Sequence, residues 1–323
     1  MLKGLCVCVT LLFLACGAPV LAQESCSAAP LAVQVLGSGG PYAGVSDRAS
    51  SGYLVWRNGR ALVMVDAGGG TFTRFGEARA RLRDLSLLAI SHLHPDHVSD
   101  LPALMWLSDS VRQAPLMLAG PSAGGQYPDM ATFVERLFDS RTGAFSILGG
   151  ALRQSGRGVP LDVKVVDVDS VGITTVLVED DLEVTGIGVP HSTVDVAQAV
   201  TPAVAYRVEI GGRSVVFSSD QNGQDERFVE FAAGADVLVM HFAISSNAID
   251  SLRALHATPE IVGQIAKDAG VRHLVLSHFI EAPSEVAWSD SFSVPRLSEN
   301  VAVVREIYDG PITVADDLEC IRF

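Results

Sequence analysis

Cysteine is scarce in this chain of 323 residues, and most of it lies at the beginning. Three of the five cysteines fall within the first 16 residues, and the two later ones are Cys26 and Cys320. Neither is close in sequence to the histidine-rich run described below, which argues against a thiolate ligand there. In an oxidising compartment, Cys26 and Cys320 would form one disulfide. Otherwise they would be two buried free thiols.

Positive charge is also scarce. The chain has 23 lysines and arginines against 37 aspartates and glutamates, which gives a formal net charge of -14. An acidic surface repels a phosphate backbone, so the composition predicts that the partner is a small molecule and not a nucleic acid. A small anionic substrate remains compatible, because bound cations would dominate the local field of a pocket. The composition says nothing about the oligomeric state.

The N-terminus has the pattern of a secretory leader. Lys3 precedes an uncharged apolar run over residues 5–15, and Val-Leu-Ala at 20–22 precedes Gln23. We therefore expect a signal peptide over residues 1–22 and a periplasmic or secreted protein. The run is shorter than the ~20 residues of a membrane span, so no stable membrane insertion is expected after the leader is removed. Lipidation at Cys16 is the less favoured alternative.

Short β-branched runs alternate with turns and with amphipathic segments through the rest of the chain. Strands are expected at 32–36, 52–56, 61–66, 87–91, 163–168, 173–178, 182–188, 203–210, 214–218, 237–240 and 273–277. Helices are expected at 71–82, 98–107, 130–138, 226–233, 259–269 and 295–307. Strands followed by helices, twice over, predict an α/β fold in which two sheets pack face to face with helices outside, an αββα sandwich. No linker interrupts residues 23–323, which predicts one domain, with residues 121–160 as a cover over one edge of the site.

The strongest motif is the run SHLHPDH at residues 91–97. Alternation along an extended segment places His92 and His94 on the same side, and the turn at Pro95 lets Asp96 and His97 face the same cavity. Three imidazoles and a carboxylate within six residues are typical of a zinc site.

Four residues are too few for two metal ions, and three residues farther along the chain are candidates for the missing ligands. His191, Asp220 and His278 each follow an apolar run expected to be a strand. Strand ends are where loops gather to form sites.

The order of these segments resembles the metallo-β-lactamase fold superfamily, and in particular its branch of tRNase Z, arylsulfatase-like enzymes and some phosphodiesterases. The resemblance covers most of the chain after the leader. Its segments are LGSGGP at 36–41, SSGY at 50–53, VDAGGGT at 65–71, HLHPDH at 92–97, FSSD at 217–220, HAT at 256–258, AGV at 269–271 and LSHF at 276–279.

The resemblance implies a ligand set for two divalent ions, with zinc as the expected metal. The first ion would be held by His92, His94 and His191, and the second by Asp96, His97 and His278. Asp220 would bridge the two ions.

The resemblance also implies roles for three further residues. Asp66 would orient a ligand histidine, although a turn residue before three glycines is an equal alternative. His256 would donate a proton to the leaving group. His241 is the weaker candidate for that role, because the glutamate that follows the corresponding histidine in tRNase Z is absent.

We expect an exported hydrolase in which a metal-bound hydroxide attacks small phosphodiester or aryl sulfate esters, with Asp96 accepting a proton. Processing of tRNA is not expected, because only 29 residues separate His191 from Asp220 and leave no room for a tRNA-binding arm. The alternative is an acyl hydrolase, such as a β-lactamase or a lactonase. For the phosphate or sulfate esters, Trp288, Phe292 and residues 121–158 would line the pocket, or Trp288 and Phe292 would serve only in packing.

Overall fold

The structure is a computed structural model that describes residues 26–42, 46–107, 114–192 and 200–323. The expected signal peptide, residues 1–22, lies outside the described residues. Within the described residues no helix is both long enough and apolar enough to cross a membrane.

Fourteen strands in the described residues form two sheets of seven. The first sheet contains β1 (Leu31–Gly37), β2 (Gly52–Arg57), β3 (Arg60–Val65), β4 (Leu87–Ala89), β5 (Leu116–Pro121), β6 (Leu161–Val166) and β14 (Cys320–Arg322). The second contains β7 (Thr174–Glu179), β8 (Leu182–Val189), β9 (Ala203–Ile210), β10 (Arg213–Phe217), β11 (Val237–His241), β12 (Leu274–Ser277) and β13 (Ile312–Val314). The spatial orders are β14-β1-β2-β3-β4-β5-β6 and β13-β12-β11-β10-β9-β8-β7.

Eight α-helices occur in the described part of the chain. They are α1 (Thr71–Glu77), α2 (Pro95–Val98), α3 (Leu101–Leu107), α4 (Met130–Phe138), α5 (Glu226–Ala232), α6 (Asp250–Arg253), α7 (Pro259–Asp268) and α8 (Leu297–Ile307).

The sheets and helices pack together through three apolar layers. Valines of both sheets, such as Val55 and Val239, form the central layer, where the sheets face each other. Helix α4 packs through Phe138 on the outer side of the first sheet, and α7 packs through Val262 on the outer side of the second. The predicted αββα sandwich is therefore confirmed.

Some elements differ from the predicted ones. Strands β5, β13 and β14 were not predicted, and the last two have only three residues, too few to show an alternating pattern. The helix predicted over 71–82 ends at Glu77 and is followed by a turn in which Arg79 has a φ of 58°. The helix predicted over 98–107 is divided into α2, which begins earlier at Pro95, and α3.

The two ends of the described chain are joined. Cys26 and Cys320 form a disulfide across 294 residues, which confirms that part of the sequence prediction. Strand β14 pairs antiparallel with β1 beside it. The C-terminal segment is therefore fixed to the edge of the first sheet.

Candidate metal centre

Strand ends bring the candidate ligands to one edge of the sandwich. His191 follows β8, Asp220 follows β10 and His278 follows β12. Strands β10, β11 and β12 are parallel, and parallel strands end at the same edge of a sheet. The loop that carries His92 reaches the second sheet, because the carbonyl of Ser91 accepts a hydrogen bond from the Val204 amide at 2.9 Å.

Three residues at this edge adopt a left-handed backbone conformation that is uncommon outside glycine. The φ angles are 61° at Asp66, 58° at Ser219 and 58° at His278. Each lies one or two residues beyond the end of a strand, so the chain turns sharply where the side chains gather. Such conformations cost of the order of 1–3 kcal/mol and concentrate at functional sites.

His92, His94, His191 and Asp220 form the first group of ligand atoms. Nδ1 of His94 lies 3.0 Å from Nε2 of His92 and 3.5 Å from Nε2 of His191. Oδ2 of Asp220 lies 3.7 Å from Nε2 of both His92 and His191. Tetrahedral ligands at about 2.0–2.1 Å from zinc are roughly 3.3 Å apart, so this spacing suits one ion.

The second group contains His97, His278 and again Asp220. Asp220 Oδ2 lies 3.7 Å from Nε2 of His97, and Asp220 Oδ1 lies 3.4 Å from Nε2 of His278. Oδ2 of Asp96 lies 3.6 Å from the former nitrogen and 3.8 Å from the latter. The ring of His241 also belongs to this group, with its Nδ1 atom 2.6 Å from Asp220 Oδ1. All seven residues proposed from the sequence as ligands therefore lie together, and Asp220 is common to both groups.

The second ring nitrogen of two candidate ligands is held by a strong acceptor. Nδ1–H of His97 donates to Oδ2 of Asp66 at 2.8 Å, and Nδ1–H of His191 donates to the carbonyl of Leu255 at 3.0 Å. The amide and hydroxyl of Ser91 in turn donate to Asp66. Because Nδ1 carries the proton, Nε2 of each ring presents its lone pair to the group, as metal-binding histidines require.

Two hydroxyl groups contact the second ring nitrogen of two further candidate ligands, His278 and His94. Neither hydroxyl was predicted from the sequence. Ser51 Oγ lies 2.6 Å from Nδ1 of His278, and Tyr127 Oη lies 3.0 Å from Nε2 of His94. Tyr127 belongs to the segment expected to cover the site. Helix α4 of that segment packs in the outer apolar layer, so the contact of the segment with the ligands is made by the loop before the helix.

Burial governs the charge states of the site. It lowers the pKa of His191 to about 3 and, together with repulsion from Asp220, raises the pKa of Asp96 to about 7. Burial alone would also raise the pKa of Asp220. The imidazoles of His278 and His256 and the hydrogen bond from His241 outweigh that effect and lower it well below its usual range. Asp220 is thus an ionised carboxylate, as a residue that binds a cation must be.

Several buried nitrogens at this site have no hydrogen-bond partner within the described residues. They are Nε2 of His97, Nε2 of His278 and Nδ1 of His256. A buried polar atom without a partner costs about 1–3 kcal/mol. One divalent cation in each group would provide partners for the two Nε2 atoms, and a set of imidazoles and carboxylates without thiolate suits zinc. The residues present therefore fit a pair of divalent cations.

The positions of the remaining candidate residues show which of them lie at the site. His256 lies at the site, with its Nδ1 atom 3.9 Å from Oδ1 of Asp220. His273 lies at the opposite end of β12, where Nε2 contacts the hydroxyl of Thr313 at 2.9 Å. Phe292 is buried in a small apolar cluster, whereas 46% of Trp288 is exposed.

Comparison with known proteins assigns the chain to a family. Residues 62–279 match the family described as the β-lactamase superfamily domain. Ribonuclease Z of Pseudomonas putida is 31% identical over 316 residues, with 87% of this chain and 94% of the relative covered. Ribonuclease Z of Mycolicibacterium gilvum is 27% identical over 308 residues, with 90% and 95% covered. The short form of human tRNase Z superposes with a TM-score of 0.64 at 20% identity, covering 90% of this chain and 98% of that one.

These relatives correct one expectation from the sequence. The prediction that nucleic acid is not a partner is wrong, because proteins named ribonuclease Z match over nearly their whole length. Net charge describes the whole surface, whereas a substrate meets the local field of the pocket, where bound cations dominate. The matching family, the shared fold and the two groups of ligands lead to one assignment: the chain belongs to the metallo-β-lactamase superfamily, on its ribonuclease Z branch, and is a metal-dependent hydrolase of ester bonds.

Proposed function

We propose that the two groups hold two divalent cations, with zinc as the expected metal, and that the chain hydrolyses phosphodiester bonds. The first ion is assigned to His92, His94 and His191. The second is assigned to Asp96, His97 and His278. The single observation that carries the proposal is the position of Asp220, whose two oxygens lie within 3.4–3.7 Å of imidazole nitrogens in both groups.

A pair of divalent cations supplies Lewis acidity, which makes water a nucleophile at neutral pH and neutralises charge on a phosphoryl group. The protein's own groups move the protons. The carboxyl group of Asp96 accepts a proton from the attacking water. His256 donates a proton to the leaving oxygen, and the position of its imidazole close to both ligand groups supports this role. Its ring centroid lies 5.4 Å from that of His191 and 6.3 Å from that of His278.

The names of the relatives support RNA as the phosphodiester substrate. Small phosphodiesters share the same reacting group and belong to the same substrate class. A proton donor such as His256 matters most for a poor leaving group such as a ribose hydroxyl. This consideration favours phosphodiesters over a strained lactam or lactone ring, whose opening needs less help at the leaving atom.

A substrate panel tests the proposal. Purified protein, loaded with zinc or with manganese, is assayed on a structured RNA, an aryl phosphodiester, an aryl sulfate and a chromogenic cephalosporin. We expect cleavage of RNA and of the aryl phosphodiester. Both activities should be lost in Asp220→Ala, and its circular dichroism spectrum should match that of the parent, which shows that the variant still folds. His273→Ala is the matched control, since it removes a histidine outside the site. Turnover of the cephalosporin alone would overturn the proposal.

We also propose that the protein is exported and cleaved before Gln23. The disulfide between Cys26 and Cys320 supports this, because such bonds persist in oxidising compartments. Expression of the full chain in a bacterium, followed by fractionation and N-terminal sequencing, tests it. The expected result is periplasmic protein beginning at residue 23, and cytosolic protein that keeps Lys3 would contradict it.

A further inference from the structure

The loop between β1 and β2 contacts the second group of ligands at both of its ends. At one end, the Gly40 amide donates to the carbonyl of Phe279 at 3.0 Å, and the Phe279 amide donates to the carbonyl of Ser38 at 2.8 Å. At the other end, Ser51 Oγ lies 2.6 Å from Nδ1 of His278. The position of the His278 ring therefore depends on where both ends of this loop lie.

The space around Gly40 shows how close this approach is. A Cβ atom at Gly40 would lie 3.2 Å from Nε2 of His278 and 2.7 Å from the side chain of Ile280. Only glycine leaves room here, so the backbone at Gly40 lies close to the ring that presents its lone pair to the second ion.

One carboxylate from the other end of the chain joins the two ends of the loop. Oδ1 of Asp317 accepts hydrogen bonds from the amide of Ser38 at 3.0 Å and from its hydroxyl at 2.9 Å. Oδ2 accepts from the amide of Ala49 at 2.8 Å and from Nε of Arg74 at 3.1 Å. All four bonds end on one side chain that is only 11% exposed, so they are shielded from competing water.

The segment that carries Asp317 is itself fixed to the first sheet. The Leu318 amide donates to the carbonyl of Val35 at 2.6 Å, and the Val35 amide donates to the carbonyl of Glu319 at 2.9 Å. The disulfide from Cys320 to Cys26 follows directly. These contacts hold a strand of only three residues against β1.

We propose that Asp317 is a positioning residue for the metal centre: it sets the loop between β1 and β2, and through Ser51 the ring of His278, while the disulfide holds Asp317 in place. This rests on the proposed assignment of His278 to the second ion. Loss of Asp317 should affect the second metal site only. Within the described residues, no hydrogen bond joins Ser51 or Asp317 to His92, His94 or His191.

The test is metal titration of the full mature chain, following zinc by calorimetry and cobalt by its visible spectrum. Asp317→Asn keeps the size of the side chain but replaces one acceptor oxygen with a donor that faces existing donors. We expect the parent to bind two ions, and we expect Asp317→Asn to lose about 10- to 100-fold in affinity at the site of Asp96, His97 and His278, with the site of His92, His94 and His191 unchanged. Asp316→Asn is the matched control, because the side chain of this neighbour is 74% exposed and pairs with Arg48. It should bind both ions as the parent does.

Two further variants separate the steps. Ser51→Ala should weaken the same site, and adding Asp317→Asn to it should cause little further loss, because both changes act on the same ring. The double variant Cys26→Ser with Cys320→Ser should weaken that site in the same direction. If Asp317→Asn bound zinc at both sites with the affinity of the parent, the positioning role of Asp317 would be overturned. Parent affinity in the serine double variant would overturn the part assigned to the disulfide. Binding of a single ion by the parent chain would instead overturn the proposed function.

Discussion

Nδ1 of His241 lies 2.6 Å from Oδ1 of Asp220, the carboxylate shared by both ligand groups. A carboxylate accepts and does not donate when ionised, so Nδ1 of His241 carries the proton and is not free to bind a cation. The Oη atom of Tyr53 lies 3.3 Å from the other ring nitrogen, and this Oη donates to Ser277 Oγ at 3.0 Å. His241 is therefore placed to position Asp220, which is why the proposed assignment takes Asp96 and not His241 as the fourth ligand of the second group.

Substitution of His241 tests whether this residue positions Asp220 or binds the second ion itself. Asparagine places an amide donor near the position of Nδ1, so His241→Asn should keep most of the affinity for the second ion. His241→Ala should lose about 10- to 100-fold. Equilibrium titration with zinc measures both. If His241 were a ligand, the two variants would lose affinity equally, and Asp96→Asn would bind as the parent does.

Replacement of His256 should affect rate according to the leaving group. His256→Ala should slow hydrolysis of an alkyl or ribose phosphodiester by about 10²- to 10⁴-fold, because the departing alkoxide needs a proton. Hydrolysis of a p-nitrophenyl phosphodiester should change little, because that phenolate leaves without one. Comparison of kcat on the two substrates checks this, with His273→Ala as the control. An equal loss on both substrates would show that His256 acts in binding or metal retention.

Asp66 should act through the orientation of His97. Asp66→Asn can keep the backbone, since asparagine tolerates a φ near 61°. It removes the charge that holds the proton on Nδ1 of His97. We expect metal affinity to fall by about 10- to 100-fold, with the fold retained by circular dichroism. If Asp66→Asn bound metal with the affinity of the parent, Asp66 would be only a turn residue and would not orient His97.

Removal of metal should lower stability. Without cations, Nε2 of His97 and Nε2 of His278 are buried and lack a hydrogen-bond partner among the described residues. Free zinc at a hundredfold excess over its dissociation constant should stabilise the folded chain by about 2.7 kcal/mol for each ion bound. Thermal unfolding with a chelator, and then with zinc restored, measures the shift. An unchanged Tm would mean that the folded chain does not bind the ion at this site.

The sequence predicted the centre of the site because its signal is local. Residues 91–97 carry four candidate ligands in seven positions, so the cluster is visible without knowledge of the fold. His191, Asp220 and His278 were found through the resemblance and through their place after apolar strands. The contact of His241 with Asp220 could not be predicted, because no local pattern indicates it and the missing glutamate argues against a catalytic role.

The supporting residues could not be predicted, because their partners are distant in sequence. Ser51 is separated from His278 by 227 positions, and Tyr127 from His94 by 33. A serine in a glycine-rich loop and a tyrosine in a turn have no local pattern that distinguishes them from surface residues. Asp317 is a similar case, because its carboxylate binds amides more than 260 positions away.

The number and position of the bound ions decide whether both ligand groups hold metal. A crystal of zinc-loaded protein, measured on both sides of the zinc absorption edge, locates each ion without reference to the chain. We expect two anomalous peaks per chain, one bounded by His92, His94 and His191 and the other by Asp96, His97 and His278, with Asp220 between them. A single peak, or a second peak coordinated by His241 in place of Asp96, would overturn the proposed metal centre.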